Sequence, residues 1–123
     1  WGVPFRWPSR FPTNSLKAMR AYLALPEERR KDYRERVYRA YWADDRDIAD
    51  DAVLSEIIGA DATEVLARAQ SSEVKQSLID ATQRAVDAGV FGAPTWVIDG
   101  RDLYWGQDRL ALVERALTRG TRE

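Results

Sequence analysis

The chain has 123 residues, 45% of them apolar, which is enough for one compact domain and too few for two large ones. Its 19 basic and 20 acidic residues nearly cancel to a net charge of -1, a balance that argues against a nucleic-acid surface. With no cysteine and no histidine, it has no disulfides, no dithiol redox chemistry, no thiolate metal site and none of the commonest general base at neutral pH.

The opening Trp1-Gly2-Val3-Pro4-Phe5-Arg6-Trp7-Pro8 has neither a basic leader nor a smooth apolar run, so it does not read as a signal peptide. A start at Trp so near an apparent strand leads us to expect that an N-terminal portion is absent. Val3, Phe5 and Trp7 alternate with Pro4 and Arg6, which predicts a short strand over 3–7, confined by Pro4 to an edge or an end. Thr13 or Asn14 then caps a helix running to about Leu25, with Leu16, Met19, Tyr22 and Leu23 as its apolar stripe. Pro26 ends that helix and opens the next. This second helix, 27–43, carries Tyr33, Val37 and Tyr41 at four-residue intervals, with Tyr38 and Trp42 beside them.

A third, short helix spans 52–58 and stops at Gly59. Asp61-Ala62-Thr63-Glu64 predicts a capping box opening a fourth helix with Val65 and Leu66. Ser72 caps a fifth, with Val74, Leu78, Thr82, Ala85 and Val86 inward and Gly89 as its stop. Thr95–Asp99 and Asp102–Trp105 predict a hairpin turning at Asp99-Gly100. A last helix over 107–118 faces Leu110, Val113 and Leu117 to the core. No apolar run approaches the roughly 18 to 20 residues of a membrane span; no membrane partner and a cytoplasmic location are expected.

Four patterns bear on chemistry. Pro94, after a small-residue turn and before a β-rich run, is a candidate cis peptide with Ala93. A trans proline starting an edge strand is the commoner arrangement, but Gly89, Gly92 and the following hairpin suit the cis turn. In that turn the Ala93 N–H and C=O face outward, free to pair with a peptide-like ligand as a strand would. Gly106-Gln107-Asp108-Arg109 opens a helix, where free N–H groups and the dipole favour an anion. Asp108 there can accept from an ammonium. The pair suits the zwitterionic end of a γ-glutamyl group, although an ordinary N-cap reads the same way.

The other two patterns point away from a site. Asp44, Asp45, Asp47, Asp50 and Asp51 lack the glycine and closing glutamate of a calcium loop and read as a solvated turn that caps the third helix; no metal is expected. Arg29, Arg30, Lys31, Arg34, Arg36 and Arg39 interleave with Glu27, Glu28, Asp32 and Glu35, the pattern of a solvent face with i,i+4 pairs. Of the aromatic residues, Trp7 and Trp105 lie nearest the candidate site and are retained as substrate-pocket candidates.

These residues together resemble the 2-hydroxychromene-2-carboxylate isomerase family, relatives of the kappa-class glutathione transferases within the DsbA-like thioredoxin fold. The resemblance runs through Gly2-Val3-Pro4-Phe5, Pro8, Phe11-Pro12, Tyr41-Trp42 to Asp47-Ile48, Gly89 to Thr95, and Trp105-Gly106-Gln107-Asp108-Arg109-Leu110. The proline turn is common to thioredoxin-like proteins; the Trp-Gly-Gln-Asp-Arg segment is far more specific. It implies an α/β thioredoxin-like fold with a large helical insertion. Residues 1–12 then hold a strand and turn of that domain, 13–88 the insertion, and 89–123 its hairpin and last helix, with the first strand and helix lacking here.

The resemblance further implies glutathione as cofactor, a small aromatic acid as substrate and a homodimer. In the family's mechanism the glutathione thiolate adds to a conjugated substrate, a bond rotates and the thiol leaves. Ala93 and Pro94 map onto the turn that pairs with the cysteinyl backbone, Gln107 and Asp108 onto the γ-glutamyl site. The thiol-activating serine and an asparagine before the second strand have no matching position, so no catalytic residue is assigned in this chain, which is expected to be inactive on its own. The alternatives are a kappa-class-like glutathione transferase, a DsbA-like disulfide oxidoreductase whose cysteine pair lies in an N-terminal portion, and a non-catalytic helical interaction module.

Overall fold

A computed structural model describes residues 2–119. Five α-helices come first: α1 Leu16–Ala24, α2 Glu27–Trp42, α3 Asp51–Ile58, α4 Ala62–Ala69 and α5 Ser72–Asp87. A hairpin of β1 Thr95–Ile98 and β2 Asp102–Trp105 follows, then a 3₁₀ turn Gln107–Arg109 that runs into α6 Leu110–Arg119. The chain divides into two compact units, one up to Leu78 and the other from Ile79 onward.

In the first unit α1 packs against α2 and α4, and α3 against α2 and α4. The core between them is Ala18, Ala21, Ala24, Leu25, Tyr33, Val37, Tyr41, Leu54, Ile57, Val65 and their neighbours. Tyr33, Val37 and Tyr41 are buried as their four-residue spacing predicts, while Tyr38 on the same helix is exposed. The α1 stripe is different. Ala18, Ala21 and Ala24 are the buried residues, and Leu16 and Met19 are about half exposed, at 47% and 46%. Alanines at three-residue spacing let α1 sit close on its neighbours, and close approach outweighs the larger apolar area of the Leu16–Met19 side.

The expected strand at 3–7 does not form. A strand needs a ladder partner, and this segment is held instead by the Arg6 N–H on the Trp42 carbonyl at the end of α2 (2.7 Å). Ser9 N–H donates to Asp45 Oδ1 (2.7 Å), Tyr41 Oη–H to the Arg10 carbonyl (2.9 Å), and Arg10 pairs with Asp47 (2.5 Å). Phe11–Pro12 is cis, which its sequence does not announce.

Helix termini show where polar residues went. Asp50 caps α3 by accepting from Ala52 N–H (2.8 Å), so the acidic run is the capping turn expected of it. Asp61 makes no side-chain cap on α4; its carboxylate is taken by Arg29 (2.6 Å), whose other nitrogen donates to the Ile58 carbonyl at the end of α3 (2.8 Å). Arg36 reaches the Ile57 carbonyl, and Arg30 the carbonyls of Leu23 in the last turn of α1 and of Leu25 just beyond it. Half of the basic run thus satisfies orphan carbonyls at two helix ends rather than merely facing solvent. Ser71, not Ser72, caps α5, accepting from Val74 N–H at 3.2 Å.

The second unit carries the hairpin, whose turn has both Asp99 (φ 54°) and Gly100 (φ 65°) in the left-handed region, as the Asp-Gly pair predicts. The register pairs Thr95 with Trp105 and Ile98 with Asp102. The 3₁₀ turn and β1 both pack on α6. Val113 is buried, but Leu110 and Leu117, expected inward, are exposed, as is Val86 on α5. One helix on a two-stranded sheet covers a single apolar row, so only the central residue is enclosed.

Candidate functional site

The second unit brings four of the sequence-selected residues to one place. Ala93–Pro94 is cis, and both residues are exposed. Neither the N–H nor the C=O of Ala93 has a hydrogen-bond partner among the described residues. The Pro94 carbonyl does: it accepts from Gly106 N–H at 3.0 Å, which ties the proline turn to the segment that begins the 3₁₀ turn. Thr95 Oγ1–H closes the turn from the other side, donating to the Gly92 carbonyl at 2.5 Å.

Gly106 is needed where it stands. Its φ of 101° lies in the region L side chains avoid, and a Cβ there would meet Asp108 Oδ1 at 2.5 Å. The anion site expected here is therefore smaller than its sequence suggests. Gly106 N–H is engaged by Pro94, and the element is a three-residue 3₁₀ turn rather than the first turn of an α-helix. Gln107 and Asp108, as its first two residues, have N–H groups without an intrahelical acceptor. Both side chains are exposed. The Asp108 carboxylate lies over Gly106 with one oxygen and 3.6 Å from Arg109 Nε with the other.

Trp105 borders the turn. Its indole lies against Gly92 and 5.3 Å, centroid to centroid, from the Phe91 ring. It is 51% exposed, so about half of the residue remains accessible where it borders the Gly92 segment. Trp7 belongs to the first unit, where it packs on Phe11 (4.9 Å) and Trp42 (6.3 Å) with Phe5 alongside. It is 62% exposed. The four-ring cluster of Phe5, Trp7, Phe11 and Trp42 was not foreseen; the alternation at 3–7 shows two of its members, Phe11 follows after the Pro8 turn, and only the return of α2's end supplies Trp42.

A cleft of about 340 Å³ in the first unit is lined by Ser9, Arg10, Tyr41, Asp45, Arg46, Asp47, Asp50 and Val53. Its acidic groups are committed to the fold. The Ser9 N–H holds the Asp45 carboxyl below the usual range, and the Ala49 N–H does the same for Asp47. No group of side chains with metal-ligating character occurs among the described residues, and no described helix is long and apolar enough to cross a membrane.

Comparison with known proteins gives three consistent results. A sequence profile of the DSBA-like thioredoxin domain matches residues 1–118. A 2-hydroxychromene-2-carboxylate isomerase from Pseudomonas putida is 27% identical over 128 residues, covering all of this chain and 61% of that protein. A solved structure of 2-hydroxychromene-2-carboxylate isomerase superposes with a TM-score of 0.79 at 27% identity, covering 98% of this chain and 60% of that one. The chain therefore spans about three-fifths of the length of these relatives.

Proposed function

Because the chain belongs to the DSBA-like thioredoxin domain family, with its helix-rich architecture and small antiparallel sheet, we propose that it is the glutathione-holding part of an isomerase of the 2-hydroxychromene-2-carboxylate type. The observation that carries this reading is the unpaired backbone of Ala93, exposed and fastened beside Gly106–Asp108 by the Gly106 N–H on the Pro94 carbonyl. An extended tripeptide pairs with the Ala93 N–H and C=O as an added strand would. Its γ-glutamyl carboxylate then meets the Gln107 and Asp108 N–H groups, and its ammonium meets the Asp108 carboxylate in exchange for Arg109.

With neither cysteine nor histidine in the chain, the sulfur is the ligand's own. The bound thiol adds to a conjugated aromatic-acid substrate, the former double bond rotates, and elimination of the same thiol returns both glutathione and the isomerised acid. The half-exposed Trp105 indole offers apolar surface for the substrate ring. The names of both relatives favour isomerisation over dithiol exchange, and over glutathione transfer as the runner-up. A homodimer in the cytoplasm completes the proposal.

Titrating glutathione into the isotopically labelled chain tests it, with amide shifts followed residue by residue. Saturable shifts at 92–95 and 105–109, weakened about tenfold by Asp108→Ala, are expected. Absence of saturation, or shifts confined to other residues, overturns the reading.

A further inference from the structure

Thr95 and Trp105 face each other directly across the hairpin, so their side chains emerge on the same face of it. Both converge on one residue, Gly92. The Thr95 hydroxyl donates to its carbonyl at 2.5 Å. The Trp105 indole is so close that a Cβ on Gly92 would lie 2.6 Å from Nε1, 3.3 Å from Cδ1 and 3.4 Å from Cε2. Phe91 leans on the same indole from the preceding position, ring centroids 5.3 Å apart. On the far side of Pro94, the chain is held by the Gly106 N–H on the Pro94 carbonyl.

From this convergence we infer that Thr95, Trp105 and Gly92 form a clasp that fixes the direction of the Ala93 N–H and C=O. Thr95 and Trp105 are thereby positioning residues for peptide-backbone recognition. Among the described residues Ala93 makes no hydrogen bond through its own N–H or C=O, so the orientation of these groups must come from its neighbours. The carbonyl of residue 92 is part of the same peptide plane as the Ala93 N–H. Anchoring that carbonyl on Thr95 sets the direction of that N–H, and the indole prevents the Gly92 segment from swinging toward the hairpin. A rigid, outward-facing donor and acceptor bind an incoming strand with less ordering cost than a mobile pair. The inference rests on the proposed glutathione site for its purpose, while the clasp has a readout of its own.

That readout is hydrogen exchange at the Gly106 amide, whose bond to Pro94 reports the turn without any ligand. Thr95→Val removes the hydroxyl at nearly constant shape and is expected to raise Gly106 exchange about tenfold. Thr95→Ser keeps the donor and is expected to restore it to within about twofold, with the Trp96 and Tyr104 amides, a hydrogen-bonded pair of the ladder, unchanged throughout as the check that the hairpin still folds. Gly92→Ala is expected to raise it as well, and to add nothing further in a Trp105→Leu background, because the clash is with the indole. Glutathione affinity is expected to fall five- to tenfold in Thr95→Val and to return in Thr95→Ser. Unchanged Gly106 exchange in Thr95→Val, or an equal effect of Gly92→Ala in both backgrounds, overturns the clasp whatever glutathione does. A clasp that passes these tests in a chain that does not bind glutathione overturns the proposed function and leaves the clasp standing.

Discussion

Leu54 is fully buried on α3, where that helix meets α2 and α4, whereas Met19 on α1 is nearly half exposed. Replacing each by alanine separates the observed core from the one the α1 pattern suggests. Leu54→Ala removes roughly three buried carbons, about 2.4 kcal/mol of transfer free energy at ~0.8 kcal/mol each. The space left between three helices cannot fully collapse, which brings the total to about 3–4 kcal/mol. Met19→Ala loses about half a side chain's burial and leaves no cavity, so it costs about 1 kcal/mol or less. Urea unfolding followed by helical circular dichroism reads both. With a slope of about 1.5 kcal/mol/M, Leu54→Ala lowers the midpoint by about 2–2.7 M and Met19→Ala by well under 1 M, with the slope unchanged. Equal shifts, or a larger one for Met19→Ala, would refute the packing of α1 through Ala18, Ala21 and Ala24.

Asp50→Ala removes the cap on the Ala52 N–H and is expected to cost about 1 kcal/mol in the same urea assay, with Asp50→Asn recovering most of it. The Asp45, Asp47 and Asp61 carboxyls are lowered, by the Ser9 N–H, the Ala49 N–H and the Arg29 side chain respectively. A depressed folded pKa contributes stability that is full above the unfolded value near 4 and is lost as pH falls through the folded one. Stability measured against pH should therefore decline below about pH 4, and Asp45→Asn should flatten that decline. With no histidine present, no histidine step divides pH 5 from 8.

The candidate site was legible where its residues act through local backbone geometry. Pro94 after Gly-Ala, Asp99-Gly100 in the turn and Gly106 before Gln107 each announce a conformation that needs no distant partner. The Gly92–Trp105 approach and the Thr95 hydroxyl on the Gly92 carbonyl were not legible. They depend on the hairpin register that lays Trp105 opposite Thr95. For the same reason the expected anion site lost one donor: nothing local to Gly106 reveals that its N–H meets Pro94.

For the fold, the sequence by itself determined where helices start and stop and where the hairpin turns. Capping by Asp50, the stop at Gly59 and the opening at Pro26 arise within a few residues of each terminus. Tertiary structure decided which faces are core and which polar groups are structural. The alanine face of α1 is buried because its neighbours approach closely, and the arginines of α2 cap α1 and α3 because those helix ends come within their reach. It also decided that residues 3–7 are not a strand, since a ladder exists only where a second strand lies alongside, and the end of α2 lies there instead.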